Sequence, residues 1–161
     1  MSTIRVAWGT GTGPTSMSAY DAALADANVH NYNLVAVSSV IPADTTVETV
    51  GTAPDLGPAG NRLTVVQAEA EAAGPRHVSA ALGWTTGREG DPGLFYECAG
   101  RTDREDVEER VREGLRAGQE LPDRDWRADG VEVVSTRVDA EPGEHAAAVV
   151  VACYGESDPI V

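Results

Sequence analysis

The sequence predicts an α+β fold, a layered αββα sandwich of mostly antiparallel sheets with helices on the outer faces. Three observations predict it. Strand-like runs outnumber helical ones. The helical patterns come early and late. The chain, at 161 residues and 42% apolar content, is long enough to bury one real core. Residues 1–161 read as a single domain without repeats or low-complexity segments.

Residues 3–8 (Thr-Ile-Arg-Val-Ala-Trp) open the chain as a strand, and Gly9–Pro14 reads as a glycine-rich turn. A helix of about a dozen residues begins near Ser16, with Met17, Tyr20, Leu24 and Ala27 on one face and Asp21 beside it. Residues 32–41 read as one strand, apolar on both faces: Val35, Val37 and Ile41 lie with Ser39, and Leu34, Ala36 and Val40 with Ser38. That pattern predicts burial on both sides. Residues 51–60 form a loop, and strands follow near 61–71, 77–86 and 93–99, with a turn between Gly87 and Gly93. Residues 103–117 are the clearest helix. Thr102 and Glu105 have capping-box spacing, Val107, Val111 and Leu115 form an apolar stripe, and Gly118 suits the C-terminal cap. Strands near 130–139 and 145–154 close the domain.

Composition excludes several classes of function. The formal net charge is −14, and all twelve basic residues are arginine. Nothing in such a chain would neutralise the phosphates of a nucleic acid or an anionic membrane. The acidic surface suits solubility in a salty cytoplasm better than capture of a cationic substrate. Without lysine there is no lysine Schiff base for pyridoxal phosphate chemistry and no phosphate-binding P-loop. No run of eighteen apolar residues could span a membrane, and no charged-then-apolar leader opens the chain, so a cytoplasmic protein is expected. Cys98 and Cys153 are too few for a disulfide scaffold, and His30, His77 and His145 are too scattered to ligate a metal. Pro14 occupies the place of the third glycine in a dinucleotide fingerprint, which argues against nucleotide binding.

Two places carry chemistry. Ser38 and Ser39 are adjacent hydroxyls inside an apolar strand, where a buried hydroxyl needs a partner or a chemical role. Glu97 lies in Gly93-Leu-Phe-Tyr-Glu-Cys-Ala-Gly100, where alternation puts it with Phe95 and Ala99, opposite Leu94, Tyr96 and Cys98. A carboxylate on an apolar strand face is costly to ionise and suits a general acid; on an edge strand it would simply face water.

Together these residues resemble the pyruvoyl-dependent arginine decarboxylase family. Ala19-Tyr-Asp-Ala-Ala-Leu24 followed by Asn31-Tyr-Asn-Leu-Val-Ala-Val-Ser-Ser-Val-Ile-Pro42 is similar to the family's segment before and across its cleavage site. Gly93–Gly100 is similar to its catalytic strand, and the element order fits along nearly the whole chain. The missing lysine and the acidic excess resemble a member from a salt-loving archaeon. The resemblance implies self-cleavage between Ser38 and Ser39 into a small chain 1–38 and a large chain 39–161, supported by Asn33. It also implies a covalent pyruvoyl group derived from Ser39, which forms a Schiff base with the substrate amine in place of pyridoxal phosphate. Glu97 would protonate the carbon left by carbon dioxide. Asp21, with Leu24 on the same helix, would bind L-arginine, whose guanidinium a carboxylate holds with direction. The implied reaction gives agmatine and carbon dioxide as a step toward polyamines, in a homotrimer with sites between subunits. An N-terminal-nucleophile hydrolase using Ser39, or an unprocessed non-catalytic oligomeric homologue, are the competing expectations.

Overall fold

The computed structural model describes residues 2–122, 124–127 and 130–161. The order is β1 (Ser2–Gly13), α1 (Ser16–Asp26), β2 (Asn33–Ala36), β3 (Val40–Ile41), β4 (Thr45–Gly51), β5 (Arg62–Ala73), β6 (Arg76–Thr85), β7 (Gly93–Gly100), α2 (Arg104–Gly118), β8 (Glu132–Ala140) and β9 (His145–Tyr154). These strands make a five-stranded sheet in the order β2-β5-β9-β1-β4 and a four-stranded sheet in the order β3-β7-β6-β8. The β1–β4 and β2–β5 pairs are parallel, and the other strand pairs are antiparallel. The chain is therefore α+β, with helices and two sheets.

Strand β9 shows how the core is built. Its residues from Ala146 to Cys153 are all buried, so both of its faces must be apolar. Ala148, Val150 and Ala152 join Ile4, Val6 and Val66 of the same sheet and Val78, Leu82, Trp84 and Phe95 of the other in one cluster. Ala147, Val149, Val151 and Cys153 alternate with them and pack against Ala19, Ala23 and Leu24 of α1. A third cluster sets Val107, Val111 and Leu115 of α2 against Ala81, with Leu94, Cys98 and Val133 packed around it.

Several expectations are corrected. Gly9–Gly13 is not a turn but the second half of β1, paired with Ala146–Val149 and His145 of β9. The glycines recur every two residues because they share the face on which α1 lies. A Cβ at Gly11 would fall 2.5 Å from the Ala23 nitrogen and 2.6 Å from the Ala19 oxygen, and one at Gly9 would meet the Ala23 oxygen. The inward face of α1 is consequently Ala19, Ala23, Leu24 and Ala27, small residues suited to that close approach, whereas Met17 is 74% exposed. Strand β4, parallel to β1, was not anticipated.

At α2 the predicted Thr102–Glu105 capping box is absent. Asp103 occupies the N-cap position without a side-chain cap, because its carboxylate is taken by Arg137 at 3.0 Å and His77 at 3.1 Å. A capping box forms instead at α1, between Thr15 and Ser18. Gly118 is the last helical residue rather than the cap, which is Gln119. Its missing side chain makes room for Leu94 of β7, as that of Gly114 does for the Tyr96 ring. The apolar stripe Val107, Val111 and Leu115 is fully buried as expected.

Two outcomes follow from this packing. Gly11→Ala should destabilise the fold by about 1–3 kcal/mol through overpacking against helix backbone. Gly100→Ala, where the nearest atom would be 3.9 Å away, should stay within about 0.5 kcal/mol. Denaturant melts that rank the two equally would contradict the close-packed helix.

Burial pushes the Cys153 thiol up to about 12. The folded state thus holds that proton more tightly than the unfolded chain, and the stability it contributes is complete below the ordinary thiol value of about 9 and lost as pH rises toward 12. Thermal midpoints measured from pH 8 to 11 should fall with pH, and less steeply in Cys153→Ala; an unchanged slope would remove Cys153 as a cause.

Candidate active site

The site is made by a change of sheet. β2 lies at one edge of the five-stranded sheet beside β5, and β3 lies at one edge of the four-stranded sheet beside β7. Residues 37–39 cross between them. The predicted single strand over 32–41 is therefore broken, and its double burial is corrected: Val35, Val37 and Val40 are 40%, 42% and 40% exposed, and only Ile41 is buried. Ser38 is exposed and Ser39 partly so. A chain leaving one sheet for another cannot be flanked on both faces.

At the crossing the backbone is held closely. The Val37 amide donates to the Val65 carbonyl at 3.0 Å, the last bond to the five-stranded sheet. The Phe95 amide donates to the Ser39 carbonyl at 2.8 Å, the first bond to β7. Between these, the Val40 amide donates to the Ser38 carbonyl at 2.8 Å, closing a tight turn centred on Ser39. Strand β3 is so short that it pairs only with Gly93 and Leu94. Beyond Phe95 that edge of β7 is open, and Glu97 sits there.

Ser39 Oγ donates to Glu97 Oε2 at 2.9 Å, joining residues 58 apart in sequence. The alternation expected along β7 holds. Phe95 and Ala99 pack into the cluster shared by the two sheets, while Leu94 and Cys98 turn toward α2. Of the two placements the sequence leaves open for Glu97, the water-facing one holds: the short β3 leaves its edge of β7 uncovered, and Glu97 is exposed in the single chain. The pair has the geometry of a hydroxyl nucleophile and its base, an O–H within hydrogen-bond reach of a carboxylate. The same carboxyl can return a proton to whatever replaces the hydroxyl. A carbonyl group made from Ser39 fits here, since it would stay joined to Val40, held by the Phe95 amide, and face the Glu97 carboxyl group.

Tyr154, the last residue of β9, also belongs to this constellation and was not singled out in the sequence. Its ring packs against Phe95 with centroids 6.1 Å apart, and its hydroxyl donates to the Val40 carbonyl at 2.8 Å. Burial pushes its hydroxyl up to about 12, and the Glu97 carboxylate adds to the shift, so it remains a donor throughout the neutral range. The signal was legible: a tyrosine ending a strand of alanines and valines, His-Ala-Ala-Ala-Val-Val-Val-Ala-Cys-Tyr, has a polar tip that must find a partner.

The other candidates lie on different partners. Asn33 opens β2, and its side-chain amide donates to the Gly60 carbonyl at 2.7 Å. Asp21 is exposed on α1. Leu24 is buried in the cluster between α1 and the five-stranded sheet. Near Asp21, Tyr20 donates to Gln67 at 3.0 Å and Ser16 bonds Glu71. Glu69 of the same strand is pushed up by burial and then by Glu71. These side chains give α1 and β5 an acidic face.

Two recesses lie near but not at the pair. One of about 350 Å³ is lined by Ile41, Trp84, Arg88 and Arg127, and one of about 420 Å³ by Ile4, Pro42, Thr45 and Tyr154. Neither is lined by Ser39 or Glu97. Among the described residues no group of His, Cys, Asp and Glu could hold a metal ion, and no helix is long and apolar enough to cross a membrane.

The chain is similar to known proteins along nearly its whole length. The family model for pyruvoyl-dependent arginine decarboxylase matches residues 3–159. A pyruvoyl-dependent arginine decarboxylase of Halobacterium salinarum is 62% identical over 162 residues, covering 99% of this chain and 98% of its own. One from Pyrococcus abyssi is 36% identical over 145 residues, covering 88% of this chain and 89% of its own. One from Methanocaldococcus jannaschii is 26% identical over 136 residues, covering 83% and 78%. With the match spanning both the serine pair and the glutamate strand, this chain belongs to the pyruvoyl-dependent arginine decarboxylase family.

Proposed function

We propose that the protein is a carboxy-lyase that converts L-arginine to agmatine and carbon dioxide, using a pyruvoyl group that it makes from its own Ser39. The observation that carries the reading is the 2.9 Å hydrogen bond from Ser39 Oγ to Glu97 Oε2. Maturation begins when Glu97 takes the Ser39 hydroxyl proton and Oγ attacks the Ser38 carbonyl carbon. The carbon–nitrogen bond between the two serines then breaks, the Ser39 nitrogen gains a proton, and the amide has become an ester. Loss of the Ser39 α-proton expels the Ser38 carboxylate, and water replaces the nitrogen, which leaves as ammonia. The products are a chain of residues 1–38 and a chain of residues 39–161 headed by the pyruvoyl group, both parts of one domain.

Once formed at Ser39, the pyruvoyl group would supply an electron sink for decarboxylation, the task pyridoxal phosphate performs elsewhere. Glu97 supplies the proton to the carbon that lost the carboxyl group. Asn33 supports processing, and Asp21 and Leu24 shape the arginine subsite. Asp21 and Leu24 lie on α1, and sites between protomers would allow a neighbouring copy to supply them. Two features support a homotrimer with sites between protomers: the openness of the pair, and exposed Val35, Val37 and Val40 around it. The three core clusters support an αββα layering. The acidic surface, without lysine, suits solubility in a salt-rich cytoplasm, with no nucleic-acid or membrane partner.

Carbon dioxide released from arginine, lysine, ornithine and histidine at high salt tests the reading. Arginine should be the preferred substrate, and Ser39→Ala should release none from any of them. Glu97→Gln should lose roughly a hundredfold or more in turnover per pyruvoyl group, the worth of a positioned general acid. Full activity in Ser39→Ala would sink the cofactor assignment, and full turnover in Glu97→Gln would remove the acid.

A further inference from the structure

Self-cleavage puts negative charge on one atom, the Ser38 carbonyl oxygen, when Ser39 Oγ adds to its carbon. That oxygen already accepts the Val40 amide at 2.8 Å. A backbone donor aimed at the developing oxyanion is the largest single aid such an acyl transfer can receive. The bond is local, spanning one residue, and such turns are weak unless the flanking backbone is tied down. Here both flanks are tied. The Phe95 amide holds the Ser39 carbonyl, which shares a peptide plane with the Val40 N–H, and the Tyr154 hydroxyl holds the Val40 carbonyl on the other side. Phe95 is fully buried and its ring packs on Tyr154, so both restraints are anchored in the inter-sheet core.

We propose that the Val40 amide is the oxyanion donor of self-cleavage and that Tyr154 is its positioning residue, holding Val40 so that its N–H stays on the Ser38 carbonyl. The proposal rests on the reading that the chain cuts itself between Ser38 and Ser39. As Oγ bonds to the carbonyl carbon, the carbonyl π pair moves to the oxygen and its charge is met by the Val40 N–H. When the carbon–nitrogen bond breaks, the pair returns and the hydrogen bond relaxes to an ordinary one. Tyr154 touches no reacting atom; it acts through the backbone.

The test follows cleavage in time after pulsed cell-free synthesis of the full chain. This route also allows Val40 to be replaced by its α-hydroxy acid, which turns the amide into an ester and deletes only the N–H. Wild-type chain should separate into two fragments. Tyr154→Phe should cleave roughly three- to tenfold more slowly, the worth of one neutral hydrogen bond. The Val40 ester should cleave roughly a hundredfold more slowly. On the ester background, adding Tyr154→Phe should change the rate less than about twofold, because a positioning residue has nothing left to position. Wild-type rates in either single variant would overturn the proposal. So would an equal loss from Tyr154→Phe on both backgrounds, which would mark Tyr154 as merely structural. A wild-type chain that never cleaves would instead overturn the self-cleavage reading itself, and the proposal with it.

Discussion

The chain has to pass from the edge of one sheet to the edge of the other at residues 37–39, and the functional geometry depends on that crossing. A strand that continued along β5 would pair Ser38 and Ser39 into a ladder and hold them flat. Instead the backbone lets go of Val65, turns about Ser39, and is picked up by Phe95. The turn directs the Ser38 carbonyl back toward the Val40 amide and leaves the Ser39 hydroxyl free to reach Glu97 across the open edge of β7. The shortness of β3 serves the same end. Had it paired further along β7, Glu97 would be covered.

Rigidity around this point comes from elements with no chemistry of their own. β9 is buried on both faces and made almost wholly of alanine and valine, so helix α1 and the second sheet can each approach it closely. The glycines of β1 extend that flat surface under α1. The inter-sheet cluster then ends at Phe95 and Tyr154, whose backbone amide and side-chain hydroxyl reach out to the crossing. Packing density in the core is thus turned into positional restraint at the surface, where a reacting backbone needs it.

Much of this was legible in the sequence, and the misses have common causes. Alternation placed Phe95, Glu97 and Ala99 on one face correctly, because side-chain period in a strand is a property of the backbone. It could not show that β7 would lack a neighbour beside Glu97, since partner length is set elsewhere in the chain. The same limit led Val35 and Val37 to be read as buried. Gly9, Gly11 and Gly13 read as a turn because glycine frees the backbone, yet what matters is the missing Cβ under a helix; their two-residue spacing is the clue. Asp103 left its capping role because Arg137 and His77, distant in sequence, compete for its carboxylate. The paired serines and the glutamate are marked by residue type, whereas the polar tip of Tyr154 shows that it needs a partner but not that the partner is the Val40 carbonyl.

The central claim is that the Ser38–Ser39 peptide bond is spent to make the catalytic group. Intact mass of the purified wild-type protein tests it most directly. The account predicts two fragments, residues 1–38 ending in an ordinary carboxylate and residues 39–161 lighter by one ammonia than a serine-headed chain. A single uncut chain, or a large fragment still headed by serine, would contradict it.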